Sequence, residues 1–214
     1  MSARGDATPF LPKRKTLPSL REAAAGCRGC ALYAPATQTV FGDGPEGARI
    51  AMVGEMPGDR EDRMGKAFVG PAGRELDTAL ERVGIERDDV YITNVVKHFK
   101  FEERGKRRIH QTPRKSEVDA CFPWLREELR LVEPEVLVIL GATAGKALMG
   151  STFRLTASRG RPLESDLAPC VIATVHPSAI LRARDDEARQ AERRAFTRDL
   201  GVVAGLLGER ARPD

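Results

Sequence analysis

Cys27 and Cys30 form a CxxC pair, Cys121 follows far along the chain, and His98 lies between them, with 22 residues separating it from Cys121. Three thiols and an imidazole can hold zinc or an iron–sulfur cluster, and spacing alone leaves both open. Cys170 opens an apolar run and reads as a small core residue. Asn94 lies two-thirds of the way along another apolar run. A buried primary amide needs partners on both its oxygen and its nitrogen. It is therefore either locked in a structural network or reads a ligand that offers a donor and an acceptor side by side, as uracil does at N3–H and O4. Glu55 sits in a glycine-flanked turn, Gly54-Glu55-Met56-Pro57-Gly58, as a backbone cap or a working carboxylate. His176, before Pro177-Ser178, is a helix-cap residue or a donor aimed at charge developing on a ligand oxygen. Phe68 is core or stacks on a base. Lys106, Arg107 and Arg108 form a basic loop beside His110 that can touch phosphates.

These residues need elements to position them. Continuous β-branched runs at 49–53, 90–96, 136–140 and 170–175 are what parallel strands covered on both faces look like. Helical patterns separate them: 17–25, 71–83 with Gly84 as a stop, 116–132 capped by Ser116 with Pro123 near its start, 142–149 and 185–207. Strands alternating with helices predict a three-layer α/β/α sandwich on a mostly parallel four-stranded sheet. Residues 1–20 read as a flexible arm, and 21–210 as a single domain. Open parallel sheets bind ligands beyond the carboxyl ends of their strands, which is where Glu55, Asn94 and His176 fall. Residues 141–146 mimic a phosphate loop but are one residue short, and Ala147 stands where Ser or Thr would hold magnesium.

Composition narrows the class. The 214 residues are 41% hydrophobic, enough for a core, and contain no apolar run of membrane-spanning length or signal-peptide type. A soluble, cytoplasmic protein without membrane contact is expected, its cysteines too few for a disulfide scaffold. The net charge is +4, yet residues 97–115 carry eight lysines and arginines against two glutamates, a local +6. Such a stripe points to a polyanion partner, or else to a solvated loop.

The ordered motifs CxxC, GExPG, FVGPAG, TNVVK, an ACxPWL-type helix, LGATA and HPS resemble the uracil-DNA glycosylases that carry a four-iron, four-sulfur cluster, over residues 27–206. Histidine at 98, a longer connection to the helix cysteine and the inserted Lys106-Arg107-Arg108-Ile109-His110 resemble the UdgX-type branch, whose members become covalently joined to DNA. The resemblance implies Cys27, Cys30, His98 and Cys121 as cluster ligands. It also implies Glu55 at the sugar, Phe68 stacked on a flipped uracil, Asn94 on its Watson–Crick edge, His176 at O2 and His110 as nucleophile. Gly54 and Met56 would line the base pocket, with glutamine usual where Met56 stands, and Lys106, Arg107, Arg108 and Ser178 would hold DNA. The implied partner is uracil-containing DNA, single-stranded first and duplex second, bound by a monomer. Two alternatives stay open: a hydrolytic, multiple-turnover glycosylase whose basic loop only grips DNA, and a non-enzymatic nucleic-acid-binding metalloprotein.

Overall fold

A computed structural model describes residues 5–210. In chain order the elements are α1 (Leu17–Ala25), β1 (Ile50–Gly54), α2 (Asp59–Met64), α3 (Pro71–Arg82), β2 (Val90–Asn94), β3 (Phe101–Arg104), β4 (Arg107–His110), α4 (Lys115–Val132), β5 (Val136–Leu140), α5 (Ala142–Met149), α6 (Leu155–Ser158), β6 (Pro162–Leu163), β7 (Cys170–Thr174), α7 (Ser178–Leu181) and α8 (Asp186–Arg210). The main sheet has the order β2-β1-β5-β7-β6. Its first four strands are parallel, while β6 runs antiparallel to β7. The architecture is the expected α/β fold, with five strands instead of four. A two-residue strand carrying a proline leaves no periodic signal, so β6 could not be read from sequence.

Every residue of β1, β2, β5 and β7 is buried because helices cover both faces. Along β5, Val136, Val138 and Leu140 join Leu76, Leu80, Phe196 and Leu200 of α3 and α8. Leu137 and Ile139 turn the other way, to Leu20, Trp124 and Leu125 of α1 and α4. The two-residue period of a strand thus divides the core into two layers.

Local sequence fixes the ends. Pro71 starts α3, where a missing N–H costs nothing, and Gly84 takes φ +71° just past its end. Two expectations for α4 need correction. The N-cap is Arg114, not Ser116, and its N–H donates to the Glu117 carboxylate at 2.6 Å. Pro123 lies inside the helix, not near its start, so one intrahelical donor is missing close to Cys121. The flexible arm is also corrected for residues 5–20: Ala7 is buried, its N–H donates to Ala120 O at 2.9 Å, and Leu17 and Leu20 enter the core. Residues 1–4 lie outside the described residues. The basic loop is a second small sheet, the antiparallel hairpin β3–β4, turning at Gly105 with φ +60°. Among the described residues no helix is long and apolar enough to cross a membrane.

Candidate active site

Gly54 and Asn94 face each other as the last residues of neighbouring strands. A side chain on Gly54 would put its Cβ 2.4 Å from Asn94 Oδ1 and 2.7 Å from Phe68 Cζ. Only glycine lets the amide and the ring close over the strand end. Asn94 is 2% exposed, and its Oδ1 has no hydrogen-bond partner. Phe68 adopts φ +54°, unusual outside glycine, and Gly73 permits this because a Cβ there would lie 1.7 Å from Phe68 O. The loop is pinned at Gly70, whose N–H donates to buried Glu61 at 2.8 Å. The Phe68 ring also meets the His176 ring, centroid to centroid, at 5.6 Å.

His176 is held in one tautomer. The Ser178 N–H donates to Nδ1 at 3.2 Å and Ser178 Oγ lies 2.8 Å from the same nitrogen, so Nδ1 accepts and Nε2 carries the proton. Burial lowers the imidazole pKa to about 4, leaving a neutral donor at neutral pH. Ser178, expected to contact DNA, spends its hydroxyl on His176 and on accepting from Arg182 at 2.7 Å.

Glu55 follows β1, and the hairpin carries His110 to it, with Nε2 3.3 Å from Oε1. This is ion-pair distance without hydrogen-bond alignment, since Glu55 Oε1 has no hydrogen-bond partner. Burial pushes the Glu55 carboxyl pKa up, but contacts from His110 and Thr143 and the charge of His176 more than offset it, and the net shift is downward. Glu55 is therefore a carboxylate at neutral pH. The His110 side chain is half exposed, open to a ligand in the crevice.

Arg108 secures the hairpin. Its guanidinium donates to Asp59 at 2.5 Å, Asp62 at 2.7 Å and Thr37 at 3.1 Å, and lies over the rings of Phe99 and Phe101. With these partners it clamps the hairpin to α2. Lys106 and Arg107 are exposed at the turn. Met56 is buried in the apolar core, where its thioether packs. Sequence reading missed Glu61, Asp59, Asp62 and Thr143. The run Asp59-Arg60-Glu61-Asp62-Arg63 looks like any solvated helix face, and only tertiary structure reveals that Glu61 and Asp62 are buried.

The cysteine site lies behind β2. The Trp124 indole N–H donates to Cys27 Sγ at 3.3 Å and the Lys97 N–H donates to Cys121 Sγ at 3.3 Å. Burial pushes the Cys121 thiol up to about 12, with Lys97 opposing and Cys30 and Cys27 adding to the rise, so the three sulfurs sense one another. The Thr39 hydroxyl donates to Ala24 O at 2.9 Å. His98 Nε2, 2.9 Å from the Thr39 oxygen, must then be the donor, which leaves Nδ1 with a free lone pair. Among the described residues no three His, Cys, Asp or Glu side chains converge on a single metal ion. Buried sulfurs that accept N–H bonds, with an imidazole nitrogen kept unprotonated, fit the donor chemistry of a cluster. Cys170 is buried at the start of β7.

Residues 41–201 match the family model described as the uracil DNA glycosylase superfamily. A type-4 uracil-DNA glycosylase of Thermotoga maritima is 40% identical over 165 residues, covering 77% of this chain and 82% of that protein. Proteins of the same name from Pyrobaculum aerophilum and Archaeoglobus fulgidus are each 35% identical, over 88% and 86% of this chain and 93% and 89% of their own lengths. Relatives named type-4 overturn the expected UdgX-type assignment, which was narrower than the sequence warrants. The matched span contains Glu55, Phe68, Asn94, His110 and His176, and the chain belongs to the uracil DNA glycosylase superfamily.

Proposed function

We propose that this protein is a DNA-repair enzyme that excises uracil from DNA and then bonds to the resulting abasic sugar through His110. The base assignment rests on Asn94, a buried amide whose oxygen lacks a partner beside the ring of Phe68. An acceptor and a donor side by side match uracil N3–H and O4, whereas cytosine presents the reverse order. A base in a duplex must be flipped to reach this crevice, at a cost of a few kcal/mol that stacking and pairing offset. Relatives named uracil-DNA glycosylases support the same reading.

Cleavage breaks the bond between sugar C1′ and uracil N1, and both electrons leave with the base. The His176 Nε2–H donates to uracil O2, where negative charge grows, while the Glu55 carboxylate faces the electron-poor sugar. His110 Nε2 gives its proton to Glu55, and its lone pair forms the bond to C1′. The uracil anion takes a proton from water. What supports this step is the approach of His110 to Glu55 and the exposure of its ring. An imidazole already in place competes with water through proximity. Lys106 and Arg107 would take DNA phosphates.

Cys27, Cys30, Cys121 and His98 Nδ1 would hold a four-iron, four-sulfur cluster, whose contribution is structural: tying the N-terminal segment, the end of β2 and α4 together. The experiment is incubation with a uracil-containing single-stranded oligonucleotide, followed by a denaturing gel and peptide mass spectrometry. A sugar remnant on His110, and its loss with continued uracil release in His110→Ala, are the expected results. Free uracil with turnover and no shifted band in the wild type rejects the adduct. No uracil release rejects the glycosylase.

A further inference from the structure

Lys97 is 1% exposed, carries a charge and plays no part in the chemistry above. All three ammonium hydrogens have partners: Thr93 Oγ1 at 2.7 Å, the Asn94 carbonyl at 2.7 Å and the carboxylate of Glu128. Glu128, fully buried on α4, is itself fixed by the Gly42 N–H at 3.0 Å and the hydroxyls of Tyr91 and Thr93, both at 2.9 Å. The main chain of Lys97 faces the other way and donates to Cys121 Sγ, two turns before Glu128 on the same helix. One residue therefore grips α4 at two points and the carbonyl of Asn94 at a third.

Burying an ion pair is a poor way to gain stability, because desolvation offsets most of the attraction. What the pair does supply is direction. Asn94 is the last residue of β2; the Val95 and Val96 N–H groups beyond it still donate to Gly54 and Glu55, but the Asn94 carbonyl turns to the Lys97 ammonium, and its side-chain oxygen has no partner of its own to hold it. We propose that Lys97 is a positioning residue for base recognition, anchoring the Asn94 main chain to the helix that carries Cys121 and so aiming the amide into the crevice. This rests on the reading of Asn94 given above.

The test uses the full chain with its native cofactor content. In Lys97→Met/Glu128→Gln the lost charges balance, so Glu128 is not left buried and unpaired, while the bond to Asn94 O disappears. The readouts are single-turnover uracil excision, inhibition by free uracil, affinity for an oligonucleotide carrying an abasic analogue, and absorbance of the cysteine site. The expected result is excision and free-uracil affinity each reduced about tenfold, with abasic-DNA affinity and absorbance unchanged. Adding Lys97→Met/Glu128→Gln to Asn94→Ala is expected to cost nothing beyond Asn94→Ala alone, because Lys97 acts through that amide. Glu128→Gln by itself, which keeps the Lys97 contact, is expected to bind uracil like the wild type, and it provides the comparison should the double variant fold poorly. Wild-type excision and uracil inhibition in the double variant overturn the proposal, as does additivity with Asn94→Ala or an equal loss in Glu128→Gln. Unchanged uracil inhibition in Asn94→Ala alone is a separate result that removes the base-reading role itself.

Discussion

A carboxamide oxygen buried without a partner costs roughly 1–3 kcal/mol, a penalty recovered when a ligand supplies the missing hydrogen. Asn94 carries that penalty at a strand end where nothing in the fold demands an amide. Asn94→Asp removes the donor to uracil O4 and should slow single-turnover release by about 1–3 kcal/mol, roughly five- to 150-fold. Gly54→Ala tests the same crevice from below: its Cβ would press on Asn94 Oδ1 and the Phe68 ring, so base binding should fail while DNA affinity persists. His176 makes a different prediction. Its imidazole is neutral above about pH 4, so the pH dependence of excision should show no inflection near the ordinary histidine value that disappears in His176→Asn. A low-pH loss is expected instead, at pH values below the usual carboxylate range, as Glu55 becomes protonated.

At the scale of elements, most of what was legible came from repetition. The apolar runs of β1, β2, β5 and β7 and the helical spacing of α3 and α5 name themselves because each repeats one period over a full element. Glu55, Asn94 and His176 could be placed together because parallel strands put their carboxyl ends on one edge. Illegible were the features that depend on partners distant in sequence. Arg108 looked like its neighbours Lys106 and Arg107, and only the nearness of Asp59 and Asp62, some 46–49 positions earlier, makes it a clamp. The two kinds of arginine should separate by experiment. Arg108→Ala should free the hairpin and reduce adduct formation even at saturating DNA. Arg107→Ala should weaken loading, more so at high salt, and leave the saturated adduct intact, as measured by titrating the oligonucleotide at two ionic strengths.

Across the whole molecule, acid acts on an imidazole the fold keeps neutral as well as on the carboxylates it keeps charged. The His176 pKa falls from an ordinary value of 6.5 unfolded to about 4 folded, so the unfolded chain takes up the proton first. The stability this burial contributes is complete above pH 6.5 and drains away as pH falls toward 4, by on the order of 3 kcal/mol. Urea unfolding of the wild type and His176→Gln, compared between neutral and mildly acidic pH, should show the variant losing less. Finally, α2 has a practical consequence for protein engineering. Asp59 and Asp62 hold the hairpin, and Glu61 holds the loop carrying Phe68. Grafted alone onto a host glycosylase without those carboxylates, the segment from Phe101 to His110 would arrive unmoored. A transplant that also carries residues 55–70 would bring its own dock.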